Sequence, residues 1–249
     1  MNTFPQSPLA AGLPRRAFLR YSGAGLAVTG LVLAGCDDDD DTDYGTTGDV
    51  NVGAVGAGDL GVLNYAYALE QLEAAFYAQI KTGTYYTGLA ATSAERQILD
   101  DLAAHEKAHA DFFKAALGIN AIKALEPDFT SINFNDRTAV LAAAKTFEDL
   151  GVAAYNGAGR FIQSPVNLAL AGKIVSVEAR HAALIRDLIS YNSFVAADVV
   201  DLFTPTGNAS QPGTGNGTGK ERSKRPAQVA TEANVYLKAG SKLNVSGLV

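Results

Sequence analysis

Glu106-x-x-His109 and Glu178-x-x-His181 repeat one spacing, in which a carboxylate is followed three residues later by an imidazole. Both pairs lie in apolar segments with helical periodicity, where positions i and i+3 fall on the same side of a helix about one turn apart. Each pair can therefore offer an oxygen and a nitrogen to the same metal ion. Two such pairs on facing helices, each complemented by a glutamate from a neighbouring helix, predict a di-metal carboxylate site in a four-helix bundle.

Start and stop signals around these motifs predict four long helices. The predicted bounds are about 59–81, 92–117, 135–157 and 165–191. The signals are Asp59 as an N-cap, Thr92 with Glu95 as a capping box, Gly118 as a stop, Asn135 or Asp136 as an N-cap, and Ser164 before Pro165. Residues 195–203 are compatible with a short fifth helix.

The connection lengths predict how the helices are paired. The first and third connections are short, which favours two antiparallel hairpins, whereas the connection over 119–134 is long enough for a crossover. The predicted fold is therefore all-α, with two helical hairpins joined by one long crossover.

An internal repeat identifies the remaining candidate ligands. Residues 69–77 align without gaps with residues 147–155, so that Glu70 matches Glu148 and Tyr77 matches Tyr155. The other two helices then match through their Glu/His pairs, which indicates a duplicated helical hairpin. Glu73 matches Gly151 in this alignment and has no counterpart.

Residues 63–191 resemble the ferritin-like superfamily, and in particular the bacterial and plant ferritin-like proteins that include desiccation-related proteins. The resemblance is carried by residues 69–77, 151–158 and 177–181. It implies a ferritin-like four-helix bundle with six metal ligands, which are Glu70, Glu106, His109, Glu148, Glu178 and His181. Glu106 and Glu178 would bridge two metal ions, and Glu70 and Glu148 would be terminal.

The donor set suits two Fe or Mn ions, with Zn also compatible, because two divalent cations balance four carboxylates that would be costly to bury alone. No catalytic residue beyond the ligands is predicted. Four neighbours have open roles. Glu73 is either an additional ligand or a group that supports the site or faces solvent. For His105 we favour a supporting or surface position over a ligand, and for Tyr77 and Tyr155 we favour packing with a satisfied hydroxyl over hydrogen bonding to ligands or electron relay.

The first 35 residues predict an export signal rather than part of the fold. Arg15-Arg16 resembles a twin-arginine signal, and the apolar run over 23–33 is too short to span a bilayer. The run ends in Leu33-Ala34-Gly35-Cys36, which resembles a bacterial lipobox. The resemblance implies export through the twin-arginine route and anchoring in a membrane of the cell envelope through lipidated Cys36. The alternative is a buried or incidental lone cysteine.

The predicted domains are a signal peptide over 1–35, an acidic and glycine-rich tether over 36–58, a bundle over 59–203, and a low-complexity linker with a C-terminal tail over 204–249. Within the last region we expect disorder over 204–219, a solvated basic stretch over 220–225, and a small hairpin from 235–238 and 242–245. The net charge of −6 excludes a general affinity for nucleic acid.

These features predict a redox enzyme that reacts Fe(II) or Mn(II) with O2 or hydrogen peroxide, as a ferroxidase, peroxidase or catalase. The alternative is a non-enzymatic bundle, metal-stabilised or vestigial, with a protective role under drying or oxidative stress. A closed storage cage is disfavoured because every subunit would carry a lipid tether, while a small homo-oligomer stays open.

Overall fold

The computed structural model describes residues 49–53, 58–201 and 219–248. Its strands and helices, in chain order, are β1 (Val50–Asn51), α1 (Asp59–Ile80), α2 (Thr84–Thr87), α3 (Ala94–Leu117), α4 (Arg137–Ala158), α5 (Pro165–Ile189), α6 (Pro226–Ala233) and β2 (Leu243–Asn244). The predicted signal peptide, Cys36 and the linker over 204–218 lie outside the described residues.

The four long helices form the predicted bundle. α1 packs along α3 and α4 packs along α5, so each short connection closes an antiparallel hairpin, and α1 and α4 bring the two hairpins together. The prediction of an all-α bundle with a long crossover is confirmed. Within the described ranges, no helix combines the length and the apolar character that a bilayer span requires.

Local capping explains where most of the long helices begin and end. The Asp136 side chain accepts hydrogen bonds from the backbone N–H groups of Thr138 and Ala139 at the start of α4. Ser164 caps α5 in front of Pro165. Gly118 follows α3 with a φ of 56°, which an L-residue with a side chain rarely adopts. These three signals were predicted from the sequence.

Two helices have a first residue or an N-cap other than the one predicted. In both cases the carboxylate that was expected to cap the helix binds another part of the chain. The N-cap of α3 is Ser93 rather than Thr92, and Glu95 binds Arg137 instead of closing a capping box. Asp59 is the first residue of α1 rather than its N-cap. Its carboxylate accepts from the backbone N–H groups of Gln163 and Ser164, which ties the start of α1 to the start of α5.

The crossover between α3 and α4 is held against α1 by two amide side chains. Asn64 is fully buried, accepts from the backbone N–H of Ile122 at 2.8 Å and donates to the carbonyl of Asn120. Gln71 accepts from the backbone N–H of Leu125 at 3.0 Å. The long connection therefore runs along the helix that carries Glu70.

Residues 219–248 pack on the bundle. The backbone N–H of Lys224 donates to the carbonyl of Ala153 on α4, and a β-carbon at Gly157 would lie 1.7 Å from the Lys224 carbonyl oxygen. Val229 of α6 is fully buried. Residues 220–223 and 225 are exposed, as expected of a solvated stretch, and Lys224 alone is half-buried where its backbone meets α4.

The predictions of a small hairpin and of a fifth helix are wrong. β2 pairs in parallel with β1, and Leu237 forms a bridge with Pro127 of the crossover, so both predicted strands pair with distant parts of the chain. Residues 195–201 form turns, with Val200 bridged to Glu221. Residues 202–203 lie outside the described part.

Candidate metal centre

Each of the four long helices contributes side chains to one buried cluster. α1 supplies Glu70, α3 supplies Glu106 and His109, α4 supplies Glu148, and α5 supplies Glu178 and His181. All four carboxylates have no exposed surface, although the helices that carry them also present polar faces to solvent. The spacing of three residues places each Glu/His pair on the inward side of its helix.

The six residues fall into two sets of four, in each of which one donor atom per residue lies within 4.8 Å of the others. One set contains Glu70, Glu106, His109 and Glu178, and the other contains Glu106, Glu148, Glu178 and His181. Glu106 and Glu178 belong to both sets, whereas Glu70 and Glu148 belong to one each. The predicted bridging and terminal roles are compatible with this overlap and stay a prediction.

The imidazoles face the carboxylates across the cluster. His109 Nδ1 lies 2.8 Å from Glu178 Oε1 and 3.3 Å from Glu70 Oε2. His181 Nδ1 lies 2.7 Å from Glu106 Oε1 and 3.5 Å from Glu148 Oε2. His109 Nδ1 therefore lies close to Glu70 and to Glu178 of the opposite Glu/His pair. In the same way, His181 Nδ1 lies close to Glu148 and to Glu106 of the opposite pair.

Eight donor atoms of the cluster make no hydrogen bond of acceptable geometry within the described residues, although the imidazole nitrogens lie within ion-pairing distance of carboxylate oxygens. Both oxygens of Glu106 and of Glu178, one oxygen of Glu70 and one of Glu148, and Nδ1 of both histidines are buried without a bond of acceptable geometry. Buried polar atoms are normally paired, because leaving them unpaired costs about 1–3 kcal/mol each. The cluster therefore fits cations, which oxygen and imidazole donors can bind together.

Comparison with protein families matches residues 58–191, more than half of the chain, to the ferritin-like domain. The chain belongs to the ferritin-like domain family. No curated protein matches the chain. In this ferritin-like chain the matched segment contains all six candidate ligands.

Burial and the repulsion between neighbouring carboxylates determine the ionisation of Glu70 and Glu148. Burial raises the pKa of Glu70 to about 8, and the neighbouring Glu178 and Glu106 raise it while His109 opposes them. Burial likewise raises the pKa of Glu148 to about 8, with His181 opposing. Both carboxylates therefore need positive charge in addition to the adjacent imidazoles to be fully ionised at neutral pH.

Glu106 behaves differently because both imidazoles adjoin it. Burial alone would raise the pKa of Glu106, but His109 and His181 outweigh this effect and lower it to about 2. Burial alone would lower the pKa of each histidine, whereas the surrounding carboxylates raise it to about 12. In the metal-free cluster, protonated imidazoles therefore occupy the place of compensating charge.

Two buried tyrosines donate hydrogen bonds to Glu148 and Glu70, each from the opposite helix. The Tyr77 hydroxyl of α1 donates to Glu148 Oε1 of α4 at 2.5 Å, and the Tyr155 hydroxyl of α4 donates to Glu70 Oε1 of α1. Sequence reasoning favoured tyrosine packing over bonding to ligands. Both hydroxyls are satisfied, but the acceptors are candidate ligands, and the shared seven-residue spacing from Glu to Tyr was the available signal.

Glu73 lies in the space that Gly151 leaves open. Glu73 is buried, and a β-carbon at Gly151 would come 2.9 Å from Glu73 Oε1. Burial raises the pKa of Glu73 well above its usual range, and the carboxylates of Glu178 and Glu106 add to the effect. Glu73 belongs to neither set of converging donors, so the structure places it beside the six candidate ligands.

His105 connects the cluster to the surface. His105 is exposed, and its Nδ1 lies 2.9 Å from Nε2 of His181, with the two rings nearly parallel. A neutral His181 that presents Nδ1 to a metal carries its proton on Nε2, which would then donate to His105. His109 is the only other histidine, and its side chain is 14% exposed.

Proposed function

We propose that this protein binds two metal ions between its four long helices and reacts Fe(II) or Mn(II) with dioxygen or hydrogen peroxide. The observation that carries the proposal is the pair of four-donor sets that share Glu106 and Glu178. A site for a single ion would not need two overlapping sets, and a purely structural core would not leave so many buried donors unpaired.

The residues have distinct roles in this proposal. Glu106 and Glu178 would bridge, Glu70 with His109 would complete one position, and Glu148 with His181 would complete the other. Tyr155 and Tyr77 would hold the terminal carboxylates in place through the hydrogen bonds to Glu70 and Glu148. Bound ions of this kind supply electrons to the oxidant and tolerate a change of charge because four carboxylates surround them.

The test is an oxidation assay on protein loaded anaerobically with Fe(II). We expect rapid oxidation after addition of O2 or hydrogen peroxide, and loss of this rate in Glu106→Gln with Glu178→Gln. Glu126→Gln is the control, because Glu126 is an exposed glutamate of the crossover. Oxidation no faster in the native chain than in the double variant would refute the proposal.

The same samples discriminate the non-enzymatic alternative. Metal uptake that raises the melting temperature, without oxidation faster than in the double variant, would favour a metal-stabilised bundle with a protective role. A chelator should then lower the melting temperature of the native chain to that of the double variant, because a ligand that binds only the folded state stabilises it.

We further propose export through the twin-arginine route and anchoring in the cell envelope through lipidated Cys36. The support is sequence alone, namely Arg15-Arg16, the short apolar run and the lipobox-like residues before Cys36. In a bacterial host, Cys36→Ser should release the protein from the membrane fraction, and Arg15→Lys with Arg16→Lys should retain it in the cytoplasm. Unchanged fractionation of both variants would contradict this part of the proposal.

A further inference from the structure

A small apolar cavity lies beside one of the two sets of donors. It has a volume of about 20 Å³, and its lining includes Ala66, Leu69, Phe113, Ala154, Ala158 and Ala171. Ala66 precedes Glu70 by one helical turn, and Phe113 follows His109 by one turn. None of the four donors lines the cavity, but Tyr155 does, and its hydroxyl donates to Glu70, which connects the cavity to the set formed by Glu70, Glu106, His109 and Glu178.

The internal repeat explains why the cavity is found at this end of the cluster. When Glu70 is aligned with Glu148 and Glu106 with Glu178, three alanines of the lining correspond to larger residues in the other half of the repeat. Ala154 corresponds to Phe76, Ala158 to Ile80, and Ala171 to Leu99.

The larger residues fill the corresponding space at the opposite end of the cluster. Phe76 and Ile80 are fully buried and Leu99 is almost so. The ring of Phe76 packs on that of Phe147, with centroids 4.7 Å apart. Two other lining residues, Tyr65 and Phe113, are larger than their counterparts Ala143 and Ile185. Protein interiors are otherwise close-packed, and three alanines in place of Phe, Ile and Leu remove more volume than these two residues add, which leaves a gap on the side of Glu70.

The lining favours a small apolar molecule over water or peroxide. A buried water needs about 10–15 Å³ and usually two to four polar partners. The Tyr155 hydroxyl is already bonded to Glu70, and the hydroxyl of Tyr65, another lining residue, is the one further polar group we identify there. Hydrogen peroxide would lose most of its hydrogen bonds on entering such a cavity, whereas dioxygen has none to lose.

We infer that this cavity is a dioxygen site that serves the metal position formed by Glu70, Glu106, His109 and Glu178. The inference rests on the proposed function and selects dioxygen as its oxidant. Reduction of dioxygen to hydrogen peroxide would require two electrons, which two Fe(II) ions held by these residues would supply, and two protons from solvent. In the other half of the repeat the corresponding positions hold the buried side chains of Phe76, Ile80 and Leu99, so the two metal positions would differ in access to the oxidant.

Xenon binding tests the cavity without any reaction. Crystals of the native chain under xenon pressure should show xenon beside Tyr155, because dry apolar cavities bind this gas. Ala171→Leu and Ala158→Ile introduce the residues of the other half of the repeat and should each remove the xenon peak. Ala169→Leu is the matched control, since Ala169 is an exposed residue of α5 and is not part of the lining.

Stopped-flow mixing then tests the role of the cavity. In Fe(II)-loaded Ala171→Leu and Ala158→Ile, reaction with O2 should slow by about tenfold while reaction with hydrogen peroxide changes by less than about twofold. Melting curves identify a variant that fails to fold, in which case the other variant decides.

The outcomes distinguish a failure of the dioxygen site from a failure of the proposed function. No xenon in the native cavity, or an unchanged O2 rate in a folded variant that has lost xenon, overturns the inference and leaves the proposed function standing. Equal slowing with O2 and peroxide also overturns it. Absence of oxidation by either reagent in the native chain overturns the proposed function, and the assignment of dioxygen with it, even if xenon binds.

Discussion

At the scale of single residues, Tyr77 and Tyr155 constrain the carboxylates of Glu148 and Glu70. Each tyrosine lies on the helix opposite its acceptor, so the pair of hydrogen bonds crosses the interface between α1 and α4 twice. Partners that orient metal ligands typically change metal affinity by about 10–100-fold when they are removed. The tyrosines therefore connect the packing of the two hairpins to the geometry of the cluster.

Replacing Tyr155 with Phe should weaken metal binding by about tenfold, because Glu70 loses the hydrogen bond that holds it. The measurement is an anaerobic calorimetric titration with Mn(II). Tyr65→Phe is the matched control, because Tyr65 is a buried tyrosine of α1 whose hydroxyl has no partner among the described residues. Equal losses in the two variants, or no loss in Tyr155→Phe, would contradict this role.

The contact of Glu73 with Gly151 gives a second residue-scale prediction. Gly151→Ala should destabilise the fold by at most about 1 kcal/mol, because the new β-carbon would lie 2.9 Å from Glu73 Oε1 and the end of this flexible side chain must shift. In a Glu73→Ala background the same change should be neutral or slightly stabilising, since Ala is a better helix former than Gly.

Chemical denaturation of the four chains in this cycle measures the coupling between the two positions. A cost of Gly151→Ala that is the same with and without Glu73 would show that the two residues do not interact.

The candidate ligands could be identified from the sequence because local spacing and an internal repeat point to them. The two Glu/His pairs follow from helical periodicity, and the repeat assigned Glu70 through Glu148. Sequence reasoning could not predict that the Tyr hydroxyls would reach the opposite helix, or that Glu73 would fill the space of Gly151. Those contacts depend on how close the hairpins approach. The ligand roles of the six residues stay a prediction.

At the scale of elements, the helix ends that were predicted correctly depend on neighbours in sequence. Asp136 and Ser164 bond backbone groups two or three residues away. The ends that were displaced involve distant partners, as Asp59 does with Gln163 and Glu95 with Arg137. A capping residue is recognisable only when no stronger tertiary partner competes for its side chain.

Glu95 ties several elements at one end of the bundle. It accepts two hydrogen bonds from Arg137 at the start of α4, each at 2.8 Å, and one from Tyr85 of α2. Arg137 also donates to the carbonyl of Leu188 near the end of α5. The Arg137 guanidinium, with help from Tyr85 and against the effect of burial, lowers the pKa of Glu95 below its usual value.

Stability should therefore depend on pH through Glu95. Because the pKa is lower in the folded state, the ionised carboxylate stabilises the fold above the unfolded value of about 4.5, and this contribution is lost as pH falls through the folded value. The free energy of unfolding of the native chain should exceed that of Glu95→Gln at neutral pH, and the difference should shrink on acidification. A difference that is constant with pH would contradict the assignment.

At the scale of the whole molecule, the C-terminal segment joins parts of the chain that are far apart in sequence. β2 pairs with β1, and the backbone of Tyr236 accepts from Asp128 of the crossover. Sequence reasoning missed these contacts because two-residue strands and single bridges leave no periodic pattern. The low-complexity composition of residues 204–219 also hid the packed segment that follows it.

Gly157 allows this segment to approach α4. In Gly157→Ala the β-carbon would lie 1.7 Å from the Lys224 carbonyl oxygen, so the segment must move away. Hydrogen exchange over 224–236 should become faster, while metal binding is retained. Gly172→Ala on α5 is the control, because a β-carbon there would meet nothing within 4 Å. Unchanged exchange in Gly157→Ala would show that the segment does not depend on this contact.

The most direct test of the proposed di-metal centre is an anomalous diffraction measurement on crystals soaked anaerobically with Mn(II). We predict two peaks per chain, one in each four-donor set, with Glu106 and Glu178 contacting both. Crystals of Glu106→Gln with Glu178→Gln should show neither peak at full occupancy. A single peak, or peaks on the surface away from Glu70 and Glu148, would contradict the account.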